Sequence, residues 1–279
     1  MYKLEILPSD TITDIKIYNN LIYISSFDSN IYIYDIWSKK LINKIQNDSS
    51  ILKMLFNKYI IYSDAQGFIT FNGLKKINVN IEGLYVLEQY KNMFIIGGFS
   101  KVILLYDNGI FEVLINQKVY GSCLFEDTLA LNFGKKVGLV DLRCQKFIKW
   151  FKNKYFIRSI FLNKNKLYIG DINGRIHIYY INIVQDYIIN AHIAIKNDIK
   201  KVYPVNNIIC DIDIYSCGSD GIVNRLKEEP KLSNKIIFNG EQSVLKIGKF
   251  ENFLVVCCGY NYEFGKGDTS FNPIYIITI

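Results

Sequence analysis

Two stretches decide the fold: YIGDINGRIHIYY at 168–180 and YSCGSDGIVNRLK at 215–227. Each opens on an apolar run, narrows to small residues, turns, and returns in a second alternating run. Alternation with period two, rich in Ile, Val, Tyr and Phe, signals a half-buried or buried strand. Working outward, five more units of the same form line up: YISSFDSNIYIYD (23–35), IYSDAQGFITFN (61–72), IIGGFSKVILLYD (95–107), LALNFGKKVGLVD (129–141), and VVCCGYNYE with PIYIIT (255–263 and 273–278). Their ends fall at 35, 72, 107, 141, 180, 227 and about 278, a spacing that drifts around 40 residues. Further strands fit between the hairpins at 12–18, 50–56, 83–88, 122–125, 157–162 and 244–247. Four strands per repeat and seven repeats predict an all-β, seven-bladed β-propeller, a single domain over 1–279. The lone segment 2–7 is expected to complete the last sheet and so protect edges that an open array would expose.

The composition agrees. The chain has 279 residues, 50% of them apolar and 21% charged, which excludes general disorder and collagen-like structure. The net charge of +7 is modest, no block of five like charges marks a basic arm, and a solvated lysine-rich exterior accounts for it. Nucleic acid is an unfavoured partner on that ground. The six cysteines form no CxxC pair, and adjacent Cys257 and Cys258 would point to opposite faces of a strand, so buried reduced thiols are expected. MYKLEILPSD lacks the apolar core of a signal peptide, and no uncharged apolar run is long enough for a membrane helix. A soluble, intracellular protein with no membrane partner is the expectation.

The units resemble WD repeats with an eroded Trp-Asp pair: Asp35, Asp107 and Asp141 hold the Asp position. Particular blades sharpen the resemblance. SSFDSNIYIYD (25–35) is similar to the first blade of the Bub-three spindle-checkpoint proteins and their Rae-one/Gle-two mRNA-export relatives. FGKKVGLVDLR (133–143), DINGRIHIYY (171–180), VYPVN (202–206) with GSDGIVN (218–224), and GYNYE (259–263) match the same family in order. Pro204 and Tyr262-Glu263 favour the checkpoint branch, while Gly265-Lys266-Gly267 with Asn272-Pro273 resembles the export branch's tail.

That resemblance implies a docking module. Its members bind a GLEBS segment, a short glutamate-bearing stretch of a checkpoint kinase of the Bub-one type or of a nucleoporin, across the top of the propeller. The family's key arginine falls on Arg175, where a guanidinium fork can hold two carboxylate oxygens. Its aromatic positions fall on Phe27 and Phe99, both Phe where Trp is usual, and Tyr260 joins the same peptide-binding set. Checkpoint members also bind a phosphorylated kinetochore scaffold. The matching basic stretch reads Ala191-His192-Ile193 here, so His192, with Lys196, Lys200 and Lys201, forms a candidate phosphopeptide site. A satisfied structural role for His192 is the competing reading. Nucleus and kinetochore are the implied locations, with the cytoplasm open.

Catalysis is not expected. HExxH, GxSxG and Walker sequences are absent, Gly265-Lys266-Gly267-Asp268 precedes no helix, and Asp211 with Asp213 lacks a second ligand cluster. No cofactor or metal is implied. His177 alternates within a strand as a structural residue would. A generic WD-repeat scaffold remains the alternative of a different kind.

Overall fold

The computed structural model describes residues 1–106, 111–183, 186–227, 233–260 and 272–279. Asp107, Tyr262, Glu263 and the 265–268 loop lie outside them, as does the Lys196 side chain. Seven antiparallel sheets of four strands follow one another along the chain, and the protein is a seven-bladed β-propeller. Blade 1 holds Ile12–Tyr18, Leu21–Ser26, Asn30–Asp35 and Leu41–Gln46; blade 2 holds Ile51–Asn57, Tyr59–Asp64, Phe68–Phe71 and Lys75–Asn78. Blade 3 is Val86–Tyr90, Met93–Gly97, Val102–Tyr106 and Phe111–Ile115; blade 4 is Gly121–Phe125, Thr128–Asn132, Lys136–Asp141 and Lys146–Lys152. Blade 5 is Ile157–Asn163, Lys166–Asp171, Arg175–Tyr180 and Asp186–Asn190; blade 6 is Val205–Cys210, Ile214–Gly218, Ile222–Lys227 and Ser233–Asn239. Blade 7 joins Val244–Phe250, Phe253–Cys258 and Ile274–Thr278 to Tyr2–Lys3 from the other end of the chain.

That closing strand is shorter than the expected 2–7. Tyr2 faces Ile276, Lys3 faces Tyr275, and Leu4 donates its N–H to the Ile274 carbonyl at 2.9 Å. Glu5 and Ile6 then bend away, ahead of Pro8, which has no N–H to continue a ladder. The first strand of blade 3 begins at Val86, later than the expected 83, because Gly83 adopts φ 61 and its carbonyl accepts the Tyr85 N–H at 3.0 Å.

The described residues group into two compact units. One comprises Thr13–Asp35 and Leu41–Lys154, the other Met1–Ile12, Ile36–Lys40 and Tyr155–Ile279. In the first, apolar clusters draw on consecutive blades: Ile31, Ile51, Met54 and Tyr62, then Ile61, Leu87, Ile96 and Ile103, then Ile95, Leu104, Leu131 and Val140. In the second, Tyr168, Ile178, Val205 and Leu226 form one cluster, and Cys217, Val244, Val256 and Cys258 another. Middle strands are therefore apolar on both sides, and each fully buried Ile or Leu contributes about 1.5–3 kcal/mol. The Ile36–Lys40 segment packs within the second unit: the Trp37 ring meets Phe253 edge-on at 5.2 Å, and the Lys39 ammonium lies 4.7 Å from the Tyr2 ring centre.

The DLR motif of blade 4 has a local cause. Asp141 accepts the Arg143 backbone N–H at 2.9 Å and both Nε and Nη2 of its fork at 3.0 and 2.6 Å. The fork holds the Asp141 carboxyl down to about 2.

All six cysteines are free. Cys217, Cys257 and Cys258 are buried; burial pushes the Cys217 thiol up and the Cys258 thiol to about 12, so neither supplies thiolate near neutral pH. Iodoacetamide at pH 8 is expected to label exposed Cys144 within minutes and to spare these three until urea unfolds the chain. Mass mapping of the labelled peptides checks this.

Candidate functional site

One device recurs at the turn between the second and third strands. A residue with positive φ offers its carbonyl to an N–H just beyond the fourth strand. Ser29 (φ 66) accepts from Asn47 at 2.8 Å, Gly67 (φ 90) from Val79 at 3.0 Å, Gly174 (φ 74) from Ala191 and His192 at 3.0 Å each, and Gly221 (φ 78) from Gly240 at 2.9 Å. An aspartate stiffens each of these turns: Asp28, Asp64, Asp171 and Asp220 accept backbone N–H groups of Asn30, Gln66, Asn173 and Ile222 at 2.9–3.1 Å. The side chains that follow such turns are thereby held at one end of their blades.

Arg175 follows the Asn173-Gly174 turn and opens the third strand of blade 5. Its backbone N–H donates to Asp171 Oδ1 at 3.1 Å. The side chain is half-buried, with the guanidinium carbon 6.0 Å from the Tyr155 ring centre. Its Nε is shielded from solvent and has no hydrogen-bond partner among the described residues. Tyr155 was not among the residues expected at the site; only the fold brings the segment before blade 5 beneath this turn.

His192 is a correction. It is fully buried, with Nδ1 2.9 Å from Asp220 Oδ1 and Nε2 3.0 Å from Ser216 Oγ. Nδ1 therefore faces the Asp220 carboxyl and Nε2 the Ser216 hydroxyl. A ring with both nitrogens engaged and no exposed surface cannot touch a phosphate. The arrangement has the connectivity of a hydrolase triad, but Ser216 is also fully buried, so no substrate reaches it. His177 is likewise structural, its Nε2 3.0 Å from Asp171 Oδ2.

The lysines nearby stand on an element that the sequence reading missed. Ile193–Lys196 and Ile199–Val202 form a two-stranded hairpin inserted between blades 5 and 6, turned by Asn197 and Asp198 at φ 50 and 61. Two consecutive positive-φ residues make the two-residue turn that matches strand twist, and Asn-Asp between alternating runs was its available signal. Lys200 and Lys201 are exposed on the second strand, and Lys196 ends the first.

Tyr260 follows the second strand of blade 7 and lines a shallow depression of about 390 Å³ with Tyr203, Asp220, Glu241 and Gln242. Two carboxylates make that wall unsuited to glutamate. Phe27 lies half-buried in the blade 1 turn, its carbonyl accepting the Ser50 hydroxyl at 2.8 Å. Phe99, 44% exposed in the corresponding turn of blade 3, rests against Tyr85 at 5.5 Å with the Lys118 ammonium 4.3 Å from its ring centre. Phe27 and Phe99 thus belong to the first unit, Arg175 and Tyr260 to the second.

Several other charged groups are paired with one another. Asp211 pairs with Lys249, which holds its carboxyl below the usual range, and Asp213 pairs with Arg225. On the first strands of blades 1 to 3, Asp14 accepts the Met54 N–H at 3.0 Å and lies 3.9 Å from the Lys53 ammonium, while Glu88 accepts the Ser122 hydroxyl at 2.7 Å. Asp14 pushes the Lys53 ammonium upward. Among the described residues no three His, Cys, Asp or Glu side chains converge as metal ligands.

No family model matches the chain. Among solved structures it is similar to that of U3-55K, with a TM-score of 0.85 and 13% identity over 100% of this chain and 98% of the other. It is similar to the RRP9 WD40 repeats at the same TM-score and identity, over 99% and 96%. The computationally designed Ika8 protein aligns at a TM-score of 0.65 and 13% identity over 99% and 98%. Likeness at this identity carries the architecture alone, and the chain has the fold of a WD40-repeat β-propeller.

Proposed function

We propose that this propeller is a non-catalytic protein-interaction module that takes an extended, glutamate-bearing segment of a partner at its second-to-third-strand turns. The observation that carries this reading is the Arg175 side chain: half-buried, anchored by its backbone to Asp171, and holding a shielded Nε without a partner among the described residues. A buried donor left unpaired costs about 1–3 kcal/mol. The side chain as a whole is only half-buried, so an arriving carboxylate can meet the part of it that is exposed. The glutamate contact is assigned to Arg175, with Tyr260 of the same unit as a rim contact; Phe27 and Phe99 are apolar surface on blades 1 and 3.

The segment is of the GLEBS type, and the YPVN stretch at 203–206 favours the checkpoint branch, with a Bub-one-type kinase as partner at the kinetochore. The mRNA-export branch, with a nucleoporin segment, is its rival. A phosphorylated scaffold peptide, if it binds, would meet Lys196, Lys200 and Lys201 on the hairpin without His192.

Titration of GLEBS peptides of both kinds tests the reading. Arg175→Glu is expected to lower affinity at least tenfold with an unchanged circular dichroism spectrum. Undiminished binding would leave only a generic scaffold, and tighter binding of the nucleoporin peptide would reverse the branch.

A further inference from the structure

The fourth strand of blade 4 reads Lys146-Phe-Ile-Lys-Trp-Phe-Lys152, three lysines and no acid in seven residues. Among the described residues it is the last strand of its sheet, paired with Lys136–Asp141 on one side only. A free edge presents a row of backbone N–H and C=O groups to any extended chain. A bulge between Leu139 and Val140 shifts the register so that Phe147 and Trp150 come together, their rings stacked at 4.6 Å and 17°. They lie over Gly138, where a Cβ would sit 2.6 Å from Phe147 and 2.9 Å from Trp150. Phe133 closes the cluster at 5.3 Å from Trp150. Trp150 remains 41% exposed and Ile148 52%.

The charge around this aromatic patch is one-sided. Lys136 sits directly opposite Lys152 in the ladder, a like-charge pair that disfavours the sheet on its own. Lys135, Lys136, Lys146 and Lys152 make no ion pair among the described residues, and Asp141, opposite Lys146, is taken by Arg143. Edge lysines repel a second copy of the same strand. The partner they do not repel is a strand of opposite charge.

We propose that the Lys146–Lys152 edge is a docking site for an extended acidic peptide segment, which adds to blade 4 as a fifth strand. Its backbone pairs with the free edge, its carboxylates meet Lys136, Lys146 and Lys152, and its apolar side chains cover Trp150 and Ile148. Single-stranded nucleic acid fits less well. Phe147 is already stacked on Trp150, and the Lys136 ammonium lies 4.6 Å from its ring centre, which leaves less open ring surface for a base. This site shares no residue with the Arg175 reading and stands without it.

The chain has two tryptophans, so Trp37→Phe leaves Trp150 as the sole indole reporter. The probe is an acetylated twelve-residue peptide, three repeats of Glu-Glu-Val-Val, which puts both residue types on each face of an extended chain, followed by Trp150 emission and by amide hydrogen exchange. A saturable emission change, slowed exchange within residues 146–152, and at least tenfold weaker binding in Lys146→Glu/Lys152→Glu are expected. Arg175→Glu, made in parallel, is expected to bind this peptide as well as the parent. No emission change, or equal binding by the charge-reversed variant, overturns the proposal. So does binding without added exchange protection, which would mean side-chain attraction only. Tighter binding of oligouridylate at the same tryptophan would assign the patch to nucleic acid instead.

Discussion

Gly174→Val is expected to destabilise the protein by about 4 kcal/mol or more, toward the extreme for a single substitution. Gly174 holds φ 74, a left-handed conformation that costs an L side chain about 1–2 kcal/mol before any contact is counted. A Cβ there would lie 2.4 Å from the His192 carbonyl oxygen, 2.9 Å from its carbon and 3.0 Å from the Tyr203 oxygen. Each is backbone, and the Gly174 carbonyl is itself bonded to the N–H groups of Ala191 and His192. Relief would break those bonds and displace Arg175, the next residue. Gly73→Val is the internal control: it has φ 70 but nothing within 4 Å of its Cβ, so only the conformational cost applies. Urea midpoints of the two variants separate the effects. Equal losses would mean that the close approach to His192 carries no weight.

His192→Ala is expected to cost about 3 kcal/mol, from hydrogen-bond partners left unpaired and the cavity left behind. The imidazole ties Asp220, in the blade 6 turn, to Ser216 on the second strand, with the segment beyond blade 5 supplying the ring. Its removal opens a cavity and strands the buried Ser216 hydroxyl. Among the described residues the Asp220 carboxylate keeps only the Ile222 N–H, at 3.1 Å. The Gly218 backbone also packs on the ring, since a Cβ there would fall 2.5 Å from Nδ1. Differential scanning calorimetry of His192→Ala against Lys200→Ala, an exposed neighbour in sequence, measures the difference. A loss below about 1 kcal/mol would put His192 back at the surface as a contact residue.

What could be read in the chain follows from how much each strand is covered. Middle strands such as Val102–Tyr106 and Phe253–Cys258 pack on both faces, so they keep a dense apolar signature that stands out without structure. Fourth strands such as Asp186–Asn190 and Lys75–Asn78 are largely exposed, carry little pattern, and emerge only from pairing. The same contrast governs the site. Arg175 was named through the family resemblance, and its place at a strand tip follows from the local Asn173-Gly174 turn. The burial of His192 was not legible, because its partners lie 24 and 28 residues away in sequence and meet it only in the folded blade. The Ile193–Val202 hairpin hid among lysines that drew attention as charges, although Asn197-Asp198 marked its turn.

Blade 7 takes two residues from one end of the chain and three strands from the other. Since Tyr2 pairs with Ile276, the amino-terminal strand must wait, unpartnered, while every intervening blade is translated. On the ribosome this protein is therefore an unfinished array until residues 274–278 emerge. The clasp that seals its final sheet can form only once both of these distant segments are present.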